Sequence, residues 1–356
     1  MKIWELHLFG RLFKTLAFIL AALFCVFVLI DLSIHSVRFL AGKAGVLDLF
    51  LYYLHSFSRH LDLFFSLAFL LTILRVLTDL AHHSELIALQ MAGLSRMRLS
   101  MPLFLTALTL TFLSYANAQW LAPDALESID LFRVEHAKRK KTVLREHVNA
   151  LTLDDGSEIV YQSFDPQNKT VFDVYWMRNN KQLWHMKTLD LKSDQLMGYH
   201  INCFKRNATG QLELEKSHLQ MNIVDLPLSE TTAMQKFISF ENRPLATLFI
   251  QSFPKSADQN AIRAHMHYKL AIALLPLLIA LSLPPHLLGF SRTLPIFLIA
   301  SASLFILISF LTLLDGMLIL AENRVLPPAF SIWILWIVCF IPSLRQWIDK
   351  KPVSMI

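Results

Sequence analysis

Apolar residues in this 356-residue chain gather into six blocks, each near the roughly 20 residues with which a helix crosses a hydrocarbon core of about 30 Å. They run over about Leu12 to Ile34, Leu61 to Leu80, Pro102 to Leu121, Tyr268 to Gly289, Leu294 to Leu320 and Leu326 to Ile341. Between the third and fourth blocks lie about 145 residues without such a run. There, from about Asn149 to Val224, the pattern changes to period two, the signature of half-buried strands. Phe172, Val174 and Trp176 alternate with Asp173 and Tyr175, and Met197, Tyr199, Ile201 and Cys203 alternate with His200 and Asn202. Leu212 and Leu214 alternate with Glu213 and Glu215, and Leu219, Met221 and Ile223 continue the series. Turn signals punctuate it at Asp154-Asp155-Gly156, Asp165-Pro166, Asn179-Asn180 and Thr209-Gly210. The predicted fold class is therefore an α+β membrane protein. Six transmembrane helices in a 3+3 arrangement carry a β domain, a sandwich or an open barrel, inserted between helices three and four. The expected divisions are 1–122, 123–267 and 268–356. Pro123 to His147 reads as a helix leaving the third span, and Leu245 to His267 as a helical return to the fourth.

The first block has the basic start and apolar core of a signal peptide, but it is long and lacks a small-x-small cleavage site. It reads as a retained helix. Lys2, Arg11, Lys14, Arg96, Arg98, Arg292, Arg345, Lys350 and Lys351 fall on one side of the membrane, against Arg38, Lys43, Arg59, Lys269 and Arg324 on the other. The positive-inside rule makes the first side cytoplasmic, with both termini inside and the β domain outside.

Composition agrees. Charged residues make up 17% of the chain, below the quarter usual in soluble domains, and there are 27 Phe. The net charge of +6 belongs to the membrane part, because Pro123 to His267 holds 18 Lys+Arg and 18 Asp+Glu. That neutrality removes the usual argument for nucleic acid binding. Three cysteines, two of them within apolar blocks, exclude a disulfide framework and leave Cys203 without an obvious partner.

Catalytic signatures are missing. No G-x-x-x-x-G-K-[ST] occurs, so the chain has no P-loop for ATP, and there is no G-x-S-x-G, H-E-x-x-H or C-x-x-C. His265-x-His267 and His82-His83 invite a metal reading but lack neighbouring ligands of the spacing zinc requires, and they read as interfacial polar residues. No cofactor or metal is expected. Asn168-Lys169-Thr170 and Asn207-Ala208-Thr209 match the glycosylation pattern, which matters only in a eukaryotic secretory route.

Three features can carry function. The loop after the second span, Ser84 to Arg98, holds a short helix that Ser84 can cap, that Glu85 suits at its positive start and that Gly93 suits at its stop. Its apolar set, Leu86, Ile87, Leu89 and Met91, is too short to span. It either lies on lipid or docks into a cytoplasmic partner. Ionisable residues at membrane depth form the second feature: Asp31 and Asp62 near outer ends, Arg75 and Asp79 at pairing distance on one helix, and Asp315-Gly316, which can cap or kink the fifth span. At the outer exit of the first span, His35, Arg38 and Lys43 either meet anionic lipid phosphates or anchor the helix by snorkelling.

The stretch Ser84-Glu85-Leu86-x-Ala88-Leu89-Gln90-x-Ala92-Gly93-Leu94-Ser95 resembles the coupling-helix signature of the LptF/LptG (YjgP/YjgQ) lipopolysaccharide-export permease family. Leu314-Asp315-Gly316 with Leu326-Pro327-Pro328, and Pro276 with Pro284 to Arg292, are similar to that family's later spans, and the likeness extends over nearly the whole chain. The start, MKIWELHLFGRLFK, leans to the G type of the two paralogues. The resemblance implies a permease subunit of an ABC-type exporter in the inner membrane of a Gram-negative-type bacterium, with a periplasmic β-jellyroll-like domain. It implies a heterodimer with a paralogous permease, a cytoplasmic ABC ATPase dimer, periplasmic bridge proteins of jellyroll type, and lipopolysaccharide as cargo. Coupling to the ATPase would fall to Glu85, Leu86, Leu89 and Gly93 in a helix over 84–93, lipid contact to Arg38 and Lys43, and a place on a lateral gate helix to Asp315. Pulling acyl chains from a bilayer costs about 0.8 kcal/mol per exposed CH₂, so such a task needs an apolar cavity and an energy source. Tyr161, Phe172, Trp176, Trp184 and Tyr199 either line a groove for those chains or pack a core. The alternatives are an exporter for another lipid or a lipoprotein, a membrane-bound cell-envelope enzyme, and a sensor or scaffold.

Overall fold

The computed structural model describes residues 3–41, 45–125, 128–129, 132, 149–153, 156–165, 169–178, 182–191, 196–207, 211–223, 226, 240–253, 259–288 and 296–348. Most of the helix expected over Pro123 to His147, most of the turn signals, Asn168 of the first glycosylation pattern and the tail after Ile348 lie outside them. The chain divides into two units, Met1–Lys138 with Pro244–Ile250 and Asn260–Ile356, and Arg139–Arg243 with Gln251–Gln259.

The first unit is helical. In chain order its helices are α1 Ile3–Ala41, α2 Val46–Arg59, α3 Leu61–His82, α4 Glu85–Met91, α5 Arg96–Ala116, α6 Leu245–Gln251, α7 Gln259–Ala273, α8 Leu275–Ser282, α9 Pro284–Leu287, α10 Ile296–Glu322 and α11 Pro328–Ile348. Among the described residues five segments are long and apolar enough to cross a membrane: Trp4–His35, Leu61–His82, Arg96–Ala125, Ile296–Glu322 and Pro328–Ile348. A sixth crossing results if α7 and α8–α9, bent by 43°, count as one span. Pro276 explains the bend, since it has no N–H to donate to the carbonyl of Ile272.

The central helix is α3. Phe69, Ile73 and Leu77 are buried against Leu8, Leu12 and Leu16 of α1, Leu103 and Ala107 of α5, and Ile279 and Ala280 of α8. Leu8, Leu12 and Leu16 recur every four residues, so one stripe of α1 faces α3. Alanines at Ala68, Ala107 and Ala280 let backbones approach closely, the usual way membrane helices gain contact. A second cluster joins Leu275 of α8, Phe310 and Leu314 of α10, and Ile332 and Trp336 of α11.

Val46–Arg59, to which the apolar pattern assigns no element, forms the helix α2. Tyr52, Tyr53 and Phe57 are buried on one side, packed with Phe132 and with Phe24 and Phe27 of α1, while Val46, Leu47, Phe50, Leu51 and Leu54 form an exposed apolar stripe. Such a helix suits the membrane interface. Ser58 at its end donates to Oδ1 of Asn117 and accepts from Nδ2 of Asn117 at its carbonyl, both at 2.9 Å. Asn117 opens a π-helical turn, Asn117–Leu121, that prolongs α5.

The second unit is a six-stranded antiparallel sheet: β1 Asn149–Thr152, β2 Glu158–Asp165, β3 Thr170–Arg178, β4 Gln182–Asp190, β5 Met197–Arg206 and β6 Leu212–Asn222, paired in chain order. One face carries the core. Ile159 pairs with Trp176, Tyr161 with Val174, Val174 with Met186 and Met186 with Ile201, which lays a continuous apolar row across β2 to β5. The expected alternation does not persist along the strands. Val171 and Val174 are both buried, as are Met186 and Leu189, and Gly198 and Ile201. These pairs are three apart, so the pleat slips phase along one line across the sheet. Asp173 (φ +53°) and His200 (φ +51°) lie on that line in the left-handed region, which turns the following side chain to the opposite face. Phe172 and Tyr199 therefore leave the inner row assigned to them. At the edge, β6 is exposed from Leu212 to Met221, and Leu219 and Met221 are not covered as the pattern suggested.

Tyr161 and Cys203 are buried in this sheet. Burial pushes the Tyr161 hydroxyl up to about 12, partly offset by the Arg243 cation. Burial also raises the Cys203 thiol, with Glu215 adding to it, so the thiol stays protonated at neutral pH and is a poor nucleophile.

Candidate coupling site

The helix α4 follows a reversal at Ser84, which has φ +60°. Ser84 gives no capping bond through its side chain, contrary to expectation; its carbonyl accepts from the Ala88 N–H at 3.1 Å. The stop is as Gly93 suggested. Gly93 has φ +85°, its N–H donates to Gln90 O at 3.0 Å, and the Leu94 N–H donates to Leu89 O at 3.3 Å. This pair of bonds is a Schellman motif. A Cβ at Gly93 meets nothing within 4 Å, so the position demands glycine for its backbone angle alone. Gly93→Ala is expected to cost about 1–2 kcal/mol locally. Hydrogen exchange at the Gly93 and Leu94 amides, read on the detergent-solubilised chain, should quicken several-fold while α3 stays protected.

The seven residues of α4 present three faces, each a pair four residues apart. Leu86 and Gln90 face inward. Leu86 is 4% exposed within the bundle core, and Gln90 Nε2 donates to Leu288 O at 3.0 Å, just past α9. Leu86 is thus a seat for the helix, where its apolar character had suggested an outward contact. Glu85 and Leu89 face the start of α1 across a groove of about 250 Å³, walled by Trp4, Leu8, Leu80 and Ala88. Ile87 and Met91 point outward, Met91 with 83% of its surface exposed.

Glu85 is engaged. Arg11 of α1 donates from Nη1 to Oε2 and from Nη2 to Oε1, both at 3.2 Å, a two-pronged pair across 74 residues of chain. Arg11 Nη1 also lies 3.9 Å from Asp79 Oδ2, and the Asp79 carboxylate is 3.5 Å from His83 Nδ1. All three side chains of the Arg11, Asp79 and Glu85 group are more than a third exposed. Pairs so placed contribute about 0–1 kcal/mol, so this one sets direction more than stability. Asp79 does not pair with Arg75. Arg75 has no partner among the described residues and is the one exposed position of α3 between Phe64 and Ala81.

The structure treats the remaining candidates separately. Asp315 does not cap its helix: α10 continues through it to Glu322, and Oδ1 accepts from the Tyr268 hydroxyl of α7 at 2.7 Å. His265 Nε2 is 2.5 Å from Glu322 Oε1, and Trp333 Nε1 donates to His267 Nδ1 at 3.3 Å, so both histidines bridge helices. Asp62 accepts a bond from the Ser114 hydroxyl, tying α3 to α5, and Asp31 contacts His35 at 3.1 Å. Arg38 lies on the last turns of α1, but its side chain, and Lys43 altogether, fall outside the described residues. Among the described residues no three His, Cys, Asp or Glu gather as metal ligands. Sequence reasoning counted Arg11 only as a topological charge. Nothing local to it or to Glu85 signals a pairing over that separation.

A family model described as lipopolysaccharide export system permease LptF/LptG matches residues 6–348. Over 120 residues the chain is 29% identical to the lipopolysaccharide export system permease protein LptG of Escherichia coli strain K12, and equally to the LptG of Escherichia coli O6:H1. The matched stretch is 34% of this chain and 33% of either relative, so the chain spans about a third of the length of the curated relatives it matches.

Proposed function

The chain belongs to the LptF/LptG family of lipopolysaccharide export permeases, and from that premise we propose that it is one permease subunit of an ABC-type exporter. It would take lipopolysaccharide from the outer leaflet of the inner membrane through a lateral gate, driven by a cytoplasmic ATPase dimer that docks on α4. The observation that carries this reading is α4 itself. It is too short to span, it is seated by Leu86 and Gln90, and it holds Ile87 and Met91 outward where a partner can cover them.

The spans support the rest of the reading. α1 and α10 have the least covered apolar windows, with Phe13, Phe18 and Leu29 exposed on one and Phe297, Phe305 and Ile306 on the other. These are the first and fifth spans, and in the permeases this chain resembles the same two spans form the lateral gates. Lipid or a second subunit must cover such faces. Asp315 then belongs to a gate helix through its bond to α7, and Arg38 and Lys43 to the outer end of the other gate helix, where lipid phosphates would pass.

The β unit would lie in the periplasm as a jellyroll-like receiver. Its edge strand β6 exposes Leu212, Leu214 and Leu219, among the charged Glu213, Glu215 and Lys216. Such an edge can accept a strand from a bridge protein of similar fold.

The test is reconstitution. The chain, co-expressed with its paralogue and the ATPase, is placed in phospholipid vesicles loaded with lipopolysaccharide. ATP-dependent appearance of lipopolysaccharide on an added jellyroll acceptor is expected. ATP hydrolysis without that transfer, but with release of another lipid or a lipoprotein, overturns the cargo assignment.

A further inference from the structure

We propose that Arg11 is a positioning residue for energy coupling: its two-pronged hold on Glu85 joins the docking helix α4 to the inner end of α1. The inference rests on the reading that α4 docks the ATPase, and it adds the route by which movement of α4 reaches a gate helix.

Three ties hold α4, and they are not equivalent. Leu86 packs nondirectionally into the core around α3. Gln90 reaches the chain just after α9, in the second half of the bundle. The Arg11–Glu85 fork reaches α1. Past its first turns, where Leu8, Leu12 and Leu16 are buried, α1 rests on α3 and α2 along one side only, through Ile19, Leu20, Phe24 and Phe27, and leaves Phe18, Val26 and Leu29 exposed on the other. A displacement of α4 passed through the fork therefore acts on the end of a long helix that its own chain holds on one side. Two parallel N–H···O bonds fix orientation as well as distance, which one ammonium contact does not.

Asp79 gives the link a second position. It lies 3.9 Å from the Arg11 guanidinium, on the last turn of α3, and the groove beside the pair leaves Arg11 room to turn. If a partner cation takes the Glu85 carboxylate, Arg11 remains neutralised by Asp79. The fork can thus open and close without stranding a charge at the membrane edge, where an unpaired charge is costly.

The experiment measures three quantities on the complex reconstituted in phospholipid vesicles with lipopolysaccharide: ATPase bound per permease, the KM and kcat of ATP hydrolysis, and lipid transferred per ATP. For Arg11→Ala, ATPase content and KM should be unchanged, and lipid transferred per ATP should fall by roughly tenfold, within the range usual for coupling between two sites. Arg11→Lys should fall between that variant and the parent. Parental lipid per ATP in Arg11→Ala overturns the proposal. So does loss of bound ATPase in that variant, which would make Arg11 part of docking. Failure of the docking reading has a separate mark: undiminished ATPase content when the outward residue Met91 is replaced by Asp.

Discussion

A complex carrying Ile87→Asp and Met91→Asp is expected to lose its ATPase on purification while the chain itself stays folded. Both side chains point away from the bundle, so aspartate there costs the free chain little. The proposed docking would bury both. Each apolar side chain covered contributes about 1.5–3 kcal/mol, and each carboxylate forced into the same contact adds a desolvation cost. The sum is at least about 4 kcal/mol, or roughly a thousandfold in affinity. Size-exclusion elution of the permease pair, with the ATPase quantified by band intensity, gives the answer. Leu86→Asp is the contrasting case. It places a carboxylate in the core beside α3 and should lower the yield of folded chain as well. ATPase retained at the parental ratio in the double variant would sink the assignment of α4 as the docking helix.

The spans were legible because lipid leaves a chain few choices: about 20 apolar residues in a row must form a helix there. Their ends were less so. The first helix extends from Ile3 to Ala41, well past the apolar core that marked it, because its first turns are held by Leu8 and Leu12 on α3. The helix α2 was missed although its signal was present, since Val46, Leu47, Phe50, Leu51 and Leu54 fall on one side at helical spacing. Seven apolar residues of fourteen, interleaved with tyrosines, simply do not reach the hydropathy of a span. In the β unit, period two located the strands but not their faces, because left-handed angles at Asp173 and His200 shift the phase. At the coupling site the short helix and its glycine stop were readable from local rules. Which side faces inward was not, because that depends on Leu288 and Arg11, nearly 200 and 74 residues away.

Trp176→Ala is expected to unfold the β unit and leave the helical unit intact. The indole is 1% exposed, beside Ile159 and Trp184, and its Nε1 donates to Ser157 Oγ at 3.1 Å. Removing such a side chain from a core costs about 3–5 kcal/mol, and the lost hydrogen bond adds about 1 kcal/mol. Those amounts approach the whole stability of a small domain, about 5–15 kcal/mol. Phe172→Ala is the control on the same strand. With 40% of its surface exposed, Phe172 stands outside the inner row and its removal should cost far less. Hydrogen exchange on the intact purified complex separates the two units: β3 to β5 amides should lose protection in Trp176→Ala, and α3 amides should not. ATPase binding through α4 should then survive while transfer to the jellyroll acceptor stops, since only the receiving sheet is gone. If transfer persists with an unfolded sheet, the β unit is not on the lipid's path, and the exit must lie within the spans.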